Sequence, residues 1–209
     1  ISVGFLSSIS TGYLRELIKA YGKLHPAVSM HILEGASADN VSALLKRELD
    51  IGFIMDTSPA EGCDVLPLWS ERIFVALPKG HALGAKPDIH WPDLRGENII
   101  LRQSEGDAIL CERVATWLTV EGHVATIERL DVGRESQMNL VAIGLGLALT
   151  CESTIAGAFP NVDFRPMAGE REVIRYCAAW LPQNDNPALR RFLSLARRVA
   201  REKARLKAH

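Results

Sequence analysis

The sequence predicts an α/β protein of two lobes with mainly parallel strands, and three observations carry that expectation. Apolar strand patterns alternate with amphipathic helical patterns almost throughout the 209 residues, the order expected of parallel strands joined by crossover helices. The stretch PKGHALGAKPDIHWPDLRGENIIL, Pro78 to Leu101, breaks this rhythm with three prolines and three glycines, so the chain is expected to enter a second lobe there. The β-forming run Val173 to Leu181 and the amphipathic helix after it then return to the first lobe, which is therefore discontinuous. The expected division is 1–76 with 163–209 for the first lobe and 77–162 for the second.

The elements follow in order. Ile1 to Leu6 reads as a strand, and Leu14, Leu17, Ile18, Tyr21 and Leu24 form one helical stripe that stops before Pro26. Val28 to Leu33 is the second strand. Ser37 is placed to cap the next helix, whose Val41, Leu44, Leu45 and Leu49 are expected to face inward, and Asp50 to Met55 is the third strand. Leu66 to Trp69 and Arg72 to Leu77 follow as strands. In the second lobe come strand Asn98 to Leu101, a helix with Ile109, Leu110, Val114, Trp117 and Leu118 inside, strand Thr126 to Leu130, a helix over Ser136 to Ile143 and a strand at LGLALT. Val162 to Arg165 leads back.

With 47% hydrophobic and 23% charged residues and a formal net charge of −1, the chain has no global electrostatic attraction to nucleic acid or an anionic membrane. Its charge is uneven. From Pro187 onward there are eight Lys or Arg against Glu202 alone, leaving 16 basic and 24 acidic groups for the rest. Leu189, Phe192, Leu193, Ala196, Val199 and Ala200 keep helical spacing within this tail, which predicts an amphipathic helix with a solvated basic back; the other reading, a basic nucleic-acid patch, is disfavoured because the tail has no aromatic residues for bases to stack on. Cys63, Cys111, Cys151 and Cys177 are far apart, with neither a CxxC pair nor a His at ligand spacing, so reduced thiols and no metal site are expected. No apolar run reaches 18 residues and no signal peptide is visible. The expected location is the cytoplasm. The chain begins within a strand pattern, as if a preceding segment had been removed.

Signatures of catalysis are scarce. GLGLAL has Leu149 in place of the third glycine of a dinucleotide loop and precedes a strand instead of following one. There is no GxSxG, GxxxxGK[ST] or HExxH, and the six histidines are scattered singly; no cofactor and no catalytic residue is expected. What recurs is a hydroxyl or amide group where a strand ends: Ser7 and Ser8, Ser37, Gln103 and Ser104, Thr150 and Ser153. Each is compatible with a simple cap or turn, but repetition at one topological place points to a ligand crevice beyond the strand ends. Helix N-termini there favour an anion such as a carboxylate, and Arg102 adds a charged contact. The expected ligand-binding set is Ser7, Ser8, Ile9, Ser37, Ala38, Arg102, Gln103, Ser104, Val132, Gly133, Thr150 and Cys151.

Three segments resemble a known family. EGASADNVSALLKRELDIGFI is similar to the helix and "LD" strand of LysR-type transcriptional regulators, FVALPKGHALG to their "ALPxxHPL" crossover, and LVAIGLGLALT to their "VAxGxGIAxxP" segment. The resemblance runs from about Ile1 to Ala196. It implies an effector-binding domain of two Rossmann-like lobes with a ligand cleft between them, similar to the type 2 periplasmic binding proteins, and a winged helix-turn-helix for DNA that lies outside this chain. A solute-binding protein of a transporter shares the fold and is the alternative. The resemblance further implies a homodimer of this domain, with dimer and tetramer both open for the full-length protein, in which residues 13–34 of one copy meet the helix Asp107 to Val120 of another; Tyr13, Tyr21 and the second strand are expected to leave an edge uncovered. Arg47, Ala82 and Thr150 stand where the family usually has Gly, Pro and Pro. Peroxide sensors of the family use a close cysteine pair, whereas the cysteine nearest to Cys111 in sequence is Cys151, which argues against a redox switch.

Overall fold

A computed structural model describes residues 1–6, 12–102, 114–116, 126–169 and 172–207. It resolves into two units, Ile1–Ser70 with Arg175–His209, and Glu71–Ile174. The boundaries fall at 70/71 and 174/175, against the expected 76/77 and 162/163. The pairings explain the shift: Ile73 to Pro78 pair with later strands of the second unit, and the strand at Val162–Pro166 is one of them.

In the first unit β1 (Ser2–Phe5), β2 (His31–Glu34) and β3 (Ile51–Met55) alternate with α1 (Tyr13–Leu24) and α2 (Ser37–Leu45). The sheet order is β2-β1-β3-β9, where β9 (Val173–Trp180) runs antiparallel to β3 and the other neighbours are parallel. Every residue of β3 is buried, as expected of a strand covered on both faces. On one face Leu44, Leu49, Ile54, Cys177 and Ala179 form a core beneath α2. On the other, α1 and α4 (Pro187–Lys207) lie against Phe53: the Phe192 ring centroid is 4.9 Å from that of Tyr21 and 6.3 Å from that of Phe53. Tyr13 Oη donates to Ala196 O at 2.6 Å and Tyr21 Oη to Ala188 O at 2.9 Å. Two contacts eight residues apart in each helix, in opposite order, make α1 and α4 antiparallel.

Several sequence expectations need correcting here. Tyr13 and Tyr21 are core residues, 2% and 0% exposed, and contribute nothing to an uncovered edge. Leu24 and Leu45 are exposed, because each ends its helix beyond the elements that cover the rest of the stripe. β2 starts at His31 instead of Val28 and is exposed along its length, since it pairs with β1 alone at the sheet edge. The two strands expected at 66–69 and 72–77 are one strand, β4 (Asp64–Pro78). At the end of α2, Arg47 adopts φ 62° where the family favours glycine. Glu48 N–H donates to Ala43 O at 2.8 Å and Arg47 N–H to Leu44 O at 2.9 Å, so the glycine-type helix ending is retained at some steric cost to the arginine.

In the second unit β4 pairs antiparallel with β7 (Ala148–Cys151) and β8 (Val162–Pro166), while β5 (Asn98–Arg102) and β6 (Thr126–Leu130) form a parallel pair. Helix α3 (Arg134–Ala142) packs on β7 and β8 through Met138 and Val141, with Ala76, Ala148 and Phe164 in the same cluster. Of the helix expected near Ile109 to Leu118, residues 114–116 are helical and Val114 is fully buried; Ile109, Leu110, Trp117 and Leu118 lie outside the described residues.

Asp50 ties three segments of the first unit together. Its carboxylate accepts hydrogen bonds from Ser2 N–H (2.8 Å), Ser2 Oγ (3.1 Å), Asn184 Nδ2 (3.0 Å) and Asn186 Nδ2 (3.1 Å). Partial burial pushes the carboxyl up, but the four donors together outweigh burial and hold it below the ordinary value of 3.8. The stabilisation from Asp50 is therefore complete above the unfolded-state pKa and disappears as pH falls through the lower folded-state value. Comparing urea unfolding of wild type and Asp50→Asn should show a constant stability gap above about pH 5 that narrows below about pH 4. A gap independent of pH would remove the carboxylate from this role.

Candidate functional site

The candidate site residues lie at or near strand ends in each unit. In the first, Gly35 N–H donates to Phe5 O at 2.9 Å, which sets the exit of β1 beside the start of α2. β3 ends at the same place: Met55 N–H donates to Ser37 Oγ at 3.2 Å. Ser37 is thus not the cap the sequence suggested. It is the first helical residue, 6% exposed, and its hydroxyl holds α2 to the end of β3. Asp39 instead accepts from Ala36 N–H at 3.2 Å. Ala38 is exposed in the first turn of α2, where backbone N–H groups lack partners within the helix. Ser7, Ser8 and Ile9 lie outside the described residues.

The packing beneath α2 explains its close approach to the sheet. Gly4 and Gly52 face each other across β1 and β3. A Cβ on Gly4 would press on Asn40 Oδ1 and come within 2.5 Å of Leu49 Cδ1; one on Gly52 would lie 3.2 Å from both Asn40 Cβ and Leu44 Cδ1. Asn40, 3% exposed, donates from Nδ2 to Phe53 O at 3.0 Å. Sequence reasoning passed over this residue, although a polar side chain one helical turn before Leu44 on the buried stripe was a legible signal.

In the second unit Arg102 and Leu130 are register partners at the ends of β5 and β6. Ile99 bridges Leu147 in parallel, with Ile100 N–H donating to Leu147 O and Leu147 N–H to Asn98 O, both at 2.8 Å. The chain entering β7 therefore runs in the direction of β5, and the structure brings Arg102, Val132, Gly133, Thr150 and Cys151 to one end of this unit. Arg102, Thr150 and Cys151 are buried, Val132 is half-buried and Gly133 exposed. Gln103 and Ser104 lie outside the described residues. Thr150 Oγ1 donates to Thr154 Oγ1 at 2.7 Å, and Cys151 Sγ lies 3.2 Å from Ser153 Oγ. Ser153 N–H donates to Glu71 Oε2 at 2.9 Å, with Glu71 itself buried. These groups first of all hold one another.

Two residues at this end were missed. Gln137 Nε2 donates to Ile100 O at 3.0 Å and pins α3 to β5. Arg134 opens α3 directly after Gly133, and its Nη2 atom is buried with no hydrogen-bond partner among the described residues. A guanidinium nitrogen in that state is unfavourable until an acceptor reaches it.

Among the described residues Cys63, Cys151 and Cys177 are free thiols; Cys111 lies outside them. Burial pushes the Cys63 and Cys177 thiols up, with Asp64 and Asp56 adding to the effect, so their reactive thiolates are disfavoured. The described residues contain no group of side chains arranged to hold a metal ion, and no helix among them is long and apolar enough to cross a membrane.

The folding pattern is that of the type 2 periplasmic binding proteins, and solved structures share it. The BenM effector binding domain with its effector benzoate superposes with a TM-score of 0.86 at 22% identity, covering 98% of this chain and 93% of that one. The effector binding domain of QuiR in complex with shikimate gives 0.81 at 18% identity, covering 97% of each. The LysR substrate binding domain family matches residues 1–201, and the chain belongs to it. Relatives include the Hca operon transcriptional activator HcaR of Escherichia coli (strain K12), 26% identical over 93% of this chain and 66% of the relative. The HTH-type transcriptional regulator BenM of Acinetobacter baylyi is 28% identical over 80% of this chain and 56% of the relative. This chain thus spans about two thirds or less of the length of such relatives. They are transcriptional regulators, and the transporter alternative finds no support in them.

Proposed function

We propose that this chain is the sensing part of a cytoplasmic, non-enzymatic transcriptional regulator, and that it binds a small carboxylate. The observation that carries the reading is the buried Arg134 Nη2 at the head of α3, which has no partner among the described residues, in the unit end that also holds Arg102 and Thr150. A carboxylate supplies the missing acceptor through a charge-assisted hydrogen bond, and the leading N–H groups of α3 add partial positive charge. Ser7, Ser8, Ile9, Ser37, Ala38, Arg102, Gln103, Ser104, Val132, Gly133, Thr150 and Cys151 are the proposed contact set, with Arg134 added to it. This domain forms a homodimer, dimer and tetramer both being open to the whole protein, which meets DNA through an N-terminal domain. Effector binding changes that assembly to the extent that the ligand binds its two states differently.

The structure alters the surface proposed for pairing. Instead of the tyrosines, Leu24, Ile32 and Leu33 are the exposed apolar residues between 13 and 34, beside a groove of about 440 Å³ lined by Phe5, Leu14, Arg15, Ile18, Lys19 and Ile32. This edge of α1 and β2 is the face we assign to the second copy.

A thermal-shift screen of aromatic and aliphatic carboxylates, amino acids and sugar phosphates tests the sensing role. A ligand at 100 times its Kd should add about 2.7 kcal/mol of stability. Arg134→Gln should retain the unliganded melting temperature and lose most of the carboxylate shift. No shift with any class, or an undiminished shift in Arg134→Gln, would overturn the proposal.

A further inference from the structure

Helix α4 carries more charge than its packing requires. Its inner face is apolar, with Leu189, Phe192, Leu193, Leu195 and Ala196 buried. Its outer face carries Arg190, Arg191, Arg197, Arg198, Arg201 and Arg205, all exposed. At 100° per residue these six fall within an arc of about 120° and extend for about 22 Å along the helix. Glu202 is the single carboxylate of the helix. Among the described residues no ion pair involves any of the six, although Asp56 with Arg175 and Asp93 with Lys86 are paired elsewhere. Six like charges at this spacing repel one another, and exposed i,i+4 pairs of like charge destabilise a helix.

We infer that the outer face of α4 is a docking surface for the phosphate backbone of double-stranded DNA. The inference rests on the proposed reading that the whole protein works on DNA, and it adds a second contact within the sensing part itself. Charge complementarity commits it to this partner. A duplex strand rises 3.4 Å per phosphate, so about 22 Å of helix spans about six phosphates, matching the six arginines in number. Guanidinium also suits phosphate oxygens better than the ammonium of lysine, because its fork can bond two at once. The absence of aromatic residues from this face argues against unpaired strands, but a duplex backbone needs none. Such contact is independent of base sequence and serves to position the protein.

The test uses the 209-residue chain and a fluorescein-labelled 30-base-pair duplex of arbitrary sequence, followed by anisotropy between 25 and 200 mM KCl. Binding should be micromolar at the lowest salt, and log K should fall with log salt at a slope of about −5 for six phosphate contacts. Arg190→Gln, Arg197→Gln, Arg201→Gln and Arg205→Gln combined should reduce the slope to about −2 with a melting temperature no lower than that of the wild type, since all four are exposed and their mutual repulsion is relieved. A charge-matched control of Lys23→Gln, Lys46→Gln, Lys79→Gln and Arg129→Gln should keep most of the binding. No binding at 25 mM KCl, or equal loss in both variants, overturns the inference. So does low-salt self-association that the arginine variant abolishes without any duplex binding, which would give the face to a second copy. Failure here is separable from failure of the sensing role, because the ligand screen contains no DNA and the duplex titration contains no effector.

Discussion

Phe192→Ala should destabilise the chain by about 3–5 kcal/mol, the cost of removing a fully buried aromatic side chain and leaving a cavity. Phe192 is 0% exposed, and its ring meets Tyr21 of α1 and Phe53 of β3, so one truncation loosens both helix-to-helix and helix-to-sheet packing. The loss should be local to the first unit. Tyr13 and Tyr21 anchor α4 through the carbonyls of Ala196 and Ala188, on either side of Phe192, and both hydrogen bonds depend on the helix keeping its distance. Burial pushes the Tyr13 phenol well above its ordinary value of 10.0, so the hydroxyl stays a donor throughout the working pH range. Urea unfolding monitored by circular dichroism measures the effect. Phe192→Leu, which refills most of the volume, should recover more than half of the loss, and a deficit below 1 kcal/mol in the alanine variant would refute this account of the core.

Gly4→Ala should cost about 1–3 kcal/mol, the range for forcing extra volume into a packed interior. The added methyl meets Asn40 and Leu49, and neither can retreat freely: Asn40 is bonded to Phe53 O and Leu49 is 5% exposed. Accommodation would push α2 from the sheet and stretch the contact between Ser37 and Met55 N–H. Ligand affinity should therefore fall together with stability. Gly133→Ala is the control, because its φ is −71° and nothing lies within 4 Å of the added atom; it should change stability by less than about 1 kcal/mol. Equal melting temperatures for the two variants would show that the glycine pair does not set the height of α2.

What was legible in the sequence is what periodicity encodes. The alternation in the first 55 residues, the run at β9 and the two faces of α4 follow from local patterns of apolar residues, and the structure keeps all three. Coverage was not legible. Leu24, Leu45 and the strand at Ile32 and Leu33 are apolar by type but exposed in place, because whether a stripe is buried along its whole length depends on where the neighbouring element ends. The candidate site was readable as strand ends and hydroxyl groups but not as hydrogen-bond partners. Ser37 looked like a cap, and its bond to Met55 joins residues 18 apart in sequence. Asp50 and Gln137 escaped notice for the same reason, since each holds a backbone group brought near by tertiary folding, whereas Asn40 stood legibly on the buried stripe of α2. Arg134 carried no signal at all, since an unmet hydrogen bond is a property of its surroundings.

The interrupted first unit has a consequence for the order in which a ribosome can deliver a finished structure. Residues 71–174 form one uninterrupted stretch and can close as soon as they emerge, whereas the first 70 residues lack β9 and α4 until residues 175–207 are made. During that interval β3 has an unpaired side, and the faces of Phe53, Tyr13 and Tyr21 that later meet Phe192, Ala196 and Ala188 stand in water. An open strand edge beside uncovered aromatic surface is the form in which a nascent chain is most prone to associate with another. Helix α4 is thus the element that ends this exposure, and a ribosome stalling before Pro187 would release a chain with one closed unit and one open one.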